Sequence, residues 1–267
     1  MKGWLVGLAL LVVVLASGAG LWITWDSTQS TSASDIASVT NRSLRPTTTS
    51  AFGPAATTTI PPAPACEIGD EVVATDPNTE WATTVIDTSQ RLPDDYVPPD
   101  LVEATAAGFD SRDQVRAILI DDLAALRAAA EANGTPVVLV SGFRSFSYQQ
   151  DLFDRRASQV GPEEAALRTA RPGHSEHQLG TAIDVLDPGV GDLTTAFADS
   201  PAGQWVAAHA HEYGFVISYP EGGRDGSCYE YEPWHLRYVG RENAAEIHEA
   251  GVTAREWMLA SRVATGD

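Results

Sequence analysis

The sequence predicts an α+β fold for a compact region that begins near Cys66. Helical and strand-like patterns follow one another there in mixed order, without the regular strand–helix–strand alternation of a doubly wound parallel sheet. The residues before Cys66 lack the apolar side chains that a core requires, which leaves about 200 of the 267 residues for one folded unit. No internal repeat of solenoid length is present in the sequence, so a repeat array is excluded.

Two segments precede the predicted folded unit. Residues 3–25 carry no charged side chain, follow Lys2 and are long enough to cross a bilayer. This run is longer than the core of most signal peptides, so we expect residues 1–25 to form an uncleaved membrane anchor, with a cleaved signal peptide as the alternative. Residues 26–65 are rich in Ser, Thr, Ala and Pro, which predicts a disordered linker. We therefore expect residues 66–267 to lie outside the cytoplasm, tethered to the cell membrane or, after cleavage, secreted.

Charge and cysteine content restrict the partners and the compartment. The chain has 36 acidic and 17 basic side chains and a net charge of -19, so it repels phosphate backbones and we expect no nucleic-acid partner. Its two cysteines, Cys66 and Cys228, lie in the part expected to be exported, where thiols oxidise. A disulfide between them would hold the first folded residues, and two free thiols are the alternative.

The first predicted helix and strand lead to a basic residue. Apolar spacing predicts a helix over residues 112–132, which begins with a capping box at Ser111 and ends at Gly134. Residues 136–141 are a short β-branched run that predicts a buried strand. This strand delivers Arg144 to its carboxyl end.

The remaining predicted elements are shorter. The patterns predict strands over residues 181–186, 215–219 and 229–231, and helices over residues 148–159, 202–213, 242–250 and 253–264, with a further short helix from Pro162. A glycine-rich turn over residues 221–226 separates the last two strands.

Two short segments carry the side chains of a metal site. The first contains His177 and Asp184, and the second contains Glu232 and His235. Two imidazoles and one carboxylate are the ligand set of a four-coordinate zinc ion whose last position is left to water. Glu232 is then the natural general base for that water, with a fourth ligand or a structural salt bridge as its alternatives. The sequence therefore predicts a Zn²⁺ enzyme with His177, Asp184 and His235 as ligands.

Other polar residues support weaker predictions. A guanidinium fork at Arg144 suits the terminal carboxylate of a substrate, although spacing alone equally allows a salt bridge with an acidic residue. His174 is expected to lie beside the ligands or to line the pocket. His209, His211 and His248 lie in helical segments and are expected to pack or to face solvent.

Three segments together resemble the VanY-type D-alanyl-D-alanine carboxypeptidases. The resemblance covers roughly residues 93–251 and rests on both the order and the spacing of the segments. They are Ser141-Gly142-Phe143-Arg144-Ser145 with Gln149, Pro172-Gly173-His174-Ser175-Glu176-His177-Gln178 through Asp184, and Glu232-Pro233-Trp234-His235 with Arg237-Tyr238-Val239-Gly240.

The resemblance implies a hedgehog/DD-peptidase fold, which is α+β with a small antiparallel sheet. It also implies a zinc peptidase that acts on peptidoglycan stem peptides. By the same resemblance the site residues are the zinc ligands His177, Asp184 and His235, the catalytic residues Glu232 and Arg144, and the substrate-binding residues Arg144, Gln149 and Ser175.

The chain departs from the family pattern in two places. Many relatives have a basic residue before the Tyr-Pro pair, where this chain has Ser218, and a Thr-Gly pair where it has Ser227-Cys228. Both places lie near Glu232, so they bear on substrate preference. We predict removal of the C-terminal D-alanine from stem peptides that end in D-Ala-D-Ala. The alternatives are an L,D-carboxypeptidase acting on tetrapeptide stems, a wall-peptide endopeptidase and a non-catalytic zinc-containing module that binds the wall.

Overall fold

The computed structural model describes residues 60–265. The predicted anchor over residues 1–25 and most of the predicted linker over residues 26–65 therefore lie outside the described part. Among the residues described, no helix has both the length and the apolar character needed to cross a membrane.

Short strands form one four-stranded sheet and two small ladders. The strands are β1 (Glu71–Val72), β2 (Gln90–Arg91), β3 (Leu101–Glu103), β4 (Gln114–Arg116), β5 (Val138–Ser141), β6 (Ala182–Leu186), β7 (Phe215–Ile217) and β8 (His235–Tyr238). The larger sheet has the order β5-β6-β8-β7, and all of its neighbouring strands are antiparallel. The two ladders are the parallel pair β1-β2 and the antiparallel pair β3-β4. The predicted α+β class with a small antiparallel sheet is confirmed.

Seven α-helices surround the sheet in the described part of the chain. They are α1 (Ile120–Ala132), α2 (Phe146–Val160), α3 (Pro162–Ala166), α4 (Pro201–His209), α5 (Arg224–Ser227), α6 (Arg241–Ala250) and α7 (Ala254–Thr265). A 3-10 helix over Glu176–Leu179 lies just before β6. Another, over Ala210–Tyr213, continues α4 to Gly214, which has the left-handed conformation expected of a helix terminator.

The central strands carry a hydrophobic core on one face and polar residues on the other. Ile183 and Val185 of β6 and Leu236 of β8 are buried in the main core, together with residues of α1 and α4. Because side chains alternate along a strand, the intervening Asp184 and the adjacent His235 point to the opposite face. A second core lies at α6 and α7. The alternation thus places two of the three predicted ligands, Asp184 and His235, on a sheet face backed by packed apolar residues.

The predicted start of the first long helix is wrong. Residues 114–116 form β4, where Val115 pairs with Val102 of β3, and helix α1 begins only at Ile120. The hydroxyl of Ser111 donates to the carboxylate of Asp113 at 2.6 Å and accepts from the backbone N–H of the same residue. Ser111 therefore forms a local turn, and pairing with a distant strand overrides the local helical pattern.

The predicted strand over residues 229–231 is also wrong. The N–H of Glu230 bonds to the carbonyl of Leu167, and that of Glu232 bonds to the carbonyl of Tyr219. These residues form an irregular loop between α5, which ends the glycine-rich turn, and β8, which pairs with β7. The other predicted helices and strands are present, with ends that differ by a few residues. The strand predicted to be buried over residues 136–141 is the edge strand β5, and its Val138 and Val140 are exposed.

The predicted disulfide between Cys66 and Cys228 is confirmed. The two Cα atoms are 5.3 Å apart and the bond closes a loop of 162 residues. Cys228 has φ of 71°, the one positive φ among the non-glycine residues described, at the position where the family pattern has glycine. The left-handed conformation is unfavourable for a residue with a Cβ atom, so the disulfide holds Cys228 in a backbone state that glycine adopts freely.

Loss of this disulfide is expected to destabilise the fold. Replacement of both cysteines by alanine should lower the free energy of unfolding by about 2–5 kcal/mol. Without the covalent loop the unfolded chain has more conformational entropy and is therefore favoured. Combining Cys66→Ala with Cys228→Gly should recover about 1 kcal/mol of this loss, since glycine tolerates the positive φ. Denaturant unfolding of the three proteins measures both effects. Equal stability of the wild type and the double-alanine protein would contradict a stabilising role.

Candidate active site

The predicted site residues other than His177 line one cleft of about 230 Å³. Larger cavities of 570 and 590 Å³ lie elsewhere, and their walls include none of these residues. Chemistry rather than size therefore identifies the site. The cleft is lined by Arg144, Gln149, Leu152, Arg168, Thr169, Ala170, Ser175, Asp184, Leu193, Tyr219, Tyr229, Glu232, Trp234 and His235.

The sheet register brings two of the predicted ligands together. Asp184 of β6 lies directly opposite His235 of β8, a position at which neighbouring side chains approach closely. His177 reaches the same point from the 3-10 helix that precedes β6. Among the residues described, these three form the one group of histidine, cysteine and carboxylate side chains able to share a metal ion.

The three ligand atoms form a nearly equilateral triangle. Nε2 of His177 is 3.2 Å from Nδ1 of His235 and 3.3 Å from Oδ1 of Asp184, and the latter two atoms are 3.2 Å apart. Zinc bonds of about 2.0–2.1 Å at tetrahedral angles place ligand atoms about 3.3 Å from one another. The donor set and its spacing therefore fit a tetrahedral Zn²⁺ with one open position.

Hydrogen bonds at the outer ring nitrogens orient both imidazoles. Nδ1–H of His177 donates to the carbonyl of Gly142 at 2.6 Å, which leaves Nε2 for a metal. In His235 the roles are reversed, because Nε2–H donates to the carboxylate of Glu176 at 2.9 Å and leaves Nδ1. Such outer partners fix the tautomer and the orientation of a metal ligand.

Burial and neighbouring charges shift the pKa of each candidate ligand. Burial, with Arg144 nearby, lowers the pKa of His177 to about 4, so this imidazole is neutral. Burial opposes ionisation of Asp184, but the two histidines outweigh it and hold its pKa well below the usual range. Burial lowers the pKa of His235, yet hydrogen bonds to Asp184 and Glu176 raise it to about 9. A metal would replace the proton on Nδ1 of His235, since a ligand imidazole must be neutral.

Glu232 lies beside the ligand triangle without joining it. Its carboxylate is 3.9 Å from Nδ1 of His235, and its N–H bonds to the carbonyl of Tyr219. Burial raises the pKa of Glu232 to about 7, with the attraction of His235 opposing that rise and Asp184 adding to it. A carboxylate of raised pKa next to an open metal position can exchange a proton with a reacting group near neutral pH.

Arg144 lies just after β5 and beside Asp184. Its guanidinium is 3.8 Å from Oδ2 of Asp184 and donates to the hydroxyl of Ser175 at 3.5 Å. The buried Nε of Arg144 has no hydrogen-bond partner among the described residues. Both contacts are long, so the guanidinium retains donors for a carboxylate that enters the cleft.

Gln149 lines the same cleft and has an unpaired acceptor. Its side-chain amide lies on α2, is buried and donates through Nε2 to the carbonyl of Ala170 at 2.7 Å. This bond fixes the amide and leaves Oε1, which has no partner among the described residues. A buried acceptor without a donor is costly, so it is suited to an N–H group of a ligand.

Two further residues were missed by the sequence reasoning. The carboxylate of Glu176 bridges Nε2–H of His235 and the guanidinium of the fully buried Arg237, at 2.9 and 2.8 Å. Burial opposes ionisation of Glu176, but Arg237 and His235 together lower its pKa to about 2. Two features of the sequence could have indicated these residues. Glu176 directly precedes the predicted ligand His177. His235 and Arg237 are two residues apart, which places their side chains on the same face of a strand.

His174 does not line this cleft. It is buried, its Nδ1–H donates to the carbonyl of Asp87 at 2.8 Å, and its Nε2 is 3.3 Å from the carboxylate of Asp70. Its own carbonyl accepts from the hydroxyl of Tyr229. His174 therefore joins the loop before His177 to the N-terminal segment, and the prediction that it lines the pocket is wrong.

Replacement of Glu176 by glutamine is expected to weaken zinc binding by about 10–100-fold. The neutral amide keeps the shape but no longer balances Arg237 or favours the required tautomer of His235. Competition with a chromogenic chelator measures the affinity, and Glu163→Gln on the exposed surface is the matched control. Equal affinities of the two variants would show that Glu176 does not support the site.

The central part of the chain matches a known family. The family model described as VanY: D-alanyl-D-alanine carboxypeptidase matches residues 112–241, a range that includes every predicted site residue. The protein YodJ of Bacillus subtilis (strain 168) is 38% identical over 185 residues, which are 67% of this chain and 68% of YodJ.

Two solved structures are similar in both fold and sequence. The LdcB LD-carboxypeptidase is 36% identical with a TM-score of 0.60, and the match covers 66% of this chain and 84% of LdcB. A mutant of the vancomycin-resistance D,D-pentapeptidase VanY, in complex with Zn(II), is 26% identical with a TM-score of 0.58. That match covers 67% of this chain and 99% of the VanY chain.

Proposed function

We propose that this chain, which belongs to the VanY family of carboxypeptidases that act on peptidoglycan, uses zinc. The proposed reaction is removal of the C-terminal D-alanine from stem peptides ending in D-Ala-D-Ala. It has the hedgehog/DD-peptidase fold of that family. The observation that supports the proposal most directly is the meeting of His177, Asp184 and His235 at about 3.2–3.3 Å beside the partly buried Glu232.

In this proposal the ligands and Glu232 divide the chemistry between them. Zinc held by His177, Asp184 and His235 would supply a Lewis acid for the scissile carbonyl and lower the pKa of water. Glu232 takes a proton from the attacking water and passes it to the nitrogen of the departing D-alanine. One water is consumed, one C–N bond is broken, and the products are a shortened peptide acid and a free amino acid.

The other cleft residues hold the substrate. Arg144 binds the terminal carboxylate through the guanidinium donors that its long contacts leave available. The unpaired Oε1 of Gln149 accepts an N–H of the peptide, and Ser175 orients Arg144 and lines the cleft. Together they position a free C-terminus over the ligands, which is the requirement for a carboxypeptidase.

Defined stem peptides test the proposal. The purified chain is incubated with a pentapeptide that ends in D-Ala-D-Ala, and the products are identified by mass spectrometry. We expect release of one D-alanine, its loss on chelation and its return with zinc. Amidation of the C-terminus should abolish cleavage, whereas an endopeptidase would be indifferent to the cap. Binding without any cleavage would support a wall-binding module and refute the enzyme.

A second candidate is an L,D-carboxypeptidase that removes D-alanine from tetrapeptide stems. The observation that favours it is the identity of 36% to the LdcB LD-carboxypeptidase, against 26% to the D,D-pentapeptidase. The same assay with a tetrapeptide ending in a single D-alanine separates the candidates. A larger kcat/KM for the tetrapeptide than for the pentapeptide would favour the L,D activity.

We also propose that residues 1–25 anchor the chain to the cell membrane, so that the enzyme acts outside the cytoplasm. The charge-free stretch over residues 3–25 supports the anchor, and the disulfide supports an oxidising compartment. Cell fractionation followed by an alkaline wash should leave the protein in the membrane pellet. Recovery from the medium would support a cleaved signal peptide instead.

A further inference from the structure

We propose that Arg168 binds a second free carboxylate of the substrate, carried by a residue on the N-terminal side of the scissile bond. The inference rests on the proposed function and deepens it. It names the substrate class as stem peptides with an unmodified side-chain or α-carboxylate near the cleavage point. Arg168 would then determine specificity without taking part in the reaction.

The position of Arg168 in the cleft is fixed by its backbone. Arg168 follows α3, and the N–H groups of Arg168 and Thr169 both bond to the carbonyl of Ala165. The next residue, Ala170, accepts the bond that orients the amide of Gln149. Residues 168–170 therefore form one wall of the cleft, and Ala170 attaches this wall to Gln149, which lines the same cleft.

The guanidinium of Arg168 makes a long, exposed ion pair with the protein. Its ion pair is with Glu164, one helical turn earlier, at 3.7 Å, and the side chains are 57% and 51% exposed. An exposed pair of this kind contributes little to stability and is readily exchanged for a better partner. In contrast, Arg144 is mostly buried and lies beside Asp184.

The acidic residues that line the cleft lie at the metal site, so we assign a carboxylate of the substrate as the partner of Arg168. The acidic residues that line the cleft are Asp184 and Glu232, and both already have roles at the metal. Arg144 is assigned to the terminal carboxylate, so a second arginine matches a second acidic group of the peptide. An acidic chain of net charge -19 would otherwise repel such a peptide, and Arg168 offsets that repulsion locally.

Stem peptides offer two such groups. One is the side-chain carboxylate of a diamino dicarboxylic acid such as diaminopimelate, which directly precedes the D-Ala-D-Ala pair of a pentapeptide. The other is the α-carboxylate of a γ-linked D-glutamate one residue earlier. Arginine recognises both by the same charge-assisted hydrogen bonds, and amidation removes the charge of each with almost no change in shape.

Four pentapeptides that end in D-Ala-D-Ala distinguish these sources: both groups free, only the diamino acid amidated, only the D-glutamate amidated, and both amidated. We expect the wild type to prefer the free carboxylate at one of the two positions by about tenfold in kcat/KM. Arg168→Ala should reduce that preference to about one, mainly through KM. High salt should weaken the wild-type preference, because Arg168 is partly exposed.

Two controls make the result specific. Arg112→Ala removes the same charge at an exposed position that does not line the cleft, and should keep the preference. Glu164→Gln removes the competing partner and should increase it by about twofold. A preference that persists in Arg168→Ala, or its absence in the wild type, would overturn this inference while D-alanine release still supports the proposed function. Failure to release D-alanine from any of the four pentapeptides would refute the proposed function itself.

Discussion

Replacement of Glu232 by glutamine is expected to lower kcat for D-alanine release by about 10³-fold. The amide has nearly the same shape as the carboxylate but cannot accept a proton from the attacking water or return it to the leaving nitrogen. Because Glu232 stands 3.9 Å from Nδ1 of His235 and outside the ligand triangle, zinc content should remain that of the wild type.

Turnover and bound zinc must be measured on the same preparation of this variant. Lost activity with retained zinc is the expected result. Loss of zinc together with activity would mean that Glu232 is a fourth ligand, and activity within threefold of the wild type would remove it from the chemistry. Glu230→Gln, two residues away on the same loop, is the matched control, since the Glu230 side chain does not line the cleft.

Replacement of Asp184 by asparagine is expected to remove zinc binding and activity together. Asp184 is buried and supplies the one carboxylate of the ligand group, so its charge balances both imidazoles and the incoming dication. Loss of an outer partner of a ligand costs about 10–100-fold in metal affinity, and loss of the ligand itself should cost more than about 100-fold. Zinc affinity by chelator competition and D-alanine release are the two measurements.

The fold should survive this change, because the side chains behind Asp184 form a core that does not include the metal. Ile183 and Val185 are fully buried in the main core together with residues of α1 and α4. Circular dichroism of the Asp184→Asn protein should therefore match the wild type, as should that of Asp192→Asn, an exposed control. Zinc bound at full affinity by the Asp184→Asn protein would show that the metal lies elsewhere.

Local sequence patterns predicted most elements because their signals are local. The strand over residues 181–186 and the short helix from Pro162 follow from short apolar runs and from the fixed φ of proline. The predictions failed where a distant partner decided the outcome. Residues 114–116 became β4 because β3 pairs with them. Residues 229–231 became part of a loop in which the N–H of Glu230 bonds to Leu167 and that of the following Glu232 bonds to Tyr219.

The sequence by itself determined the chemistry that the protein can offer, namely two imidazoles, one buried carboxylate, a base and a guanidinium in an order typical of one family. These are properties of side chains and of their spacing along the chain. Only the tertiary structure decided which atoms meet, because hydrogen bonds and ion pairs depend on distances of a few ångströms between residues far apart in sequence. The register of β6 and β8 sets Asp184 against His235, Glu176 and Arg237 select the nitrogen of His235 that faces a metal, and the loop after α3 places Arg168 in the cleft.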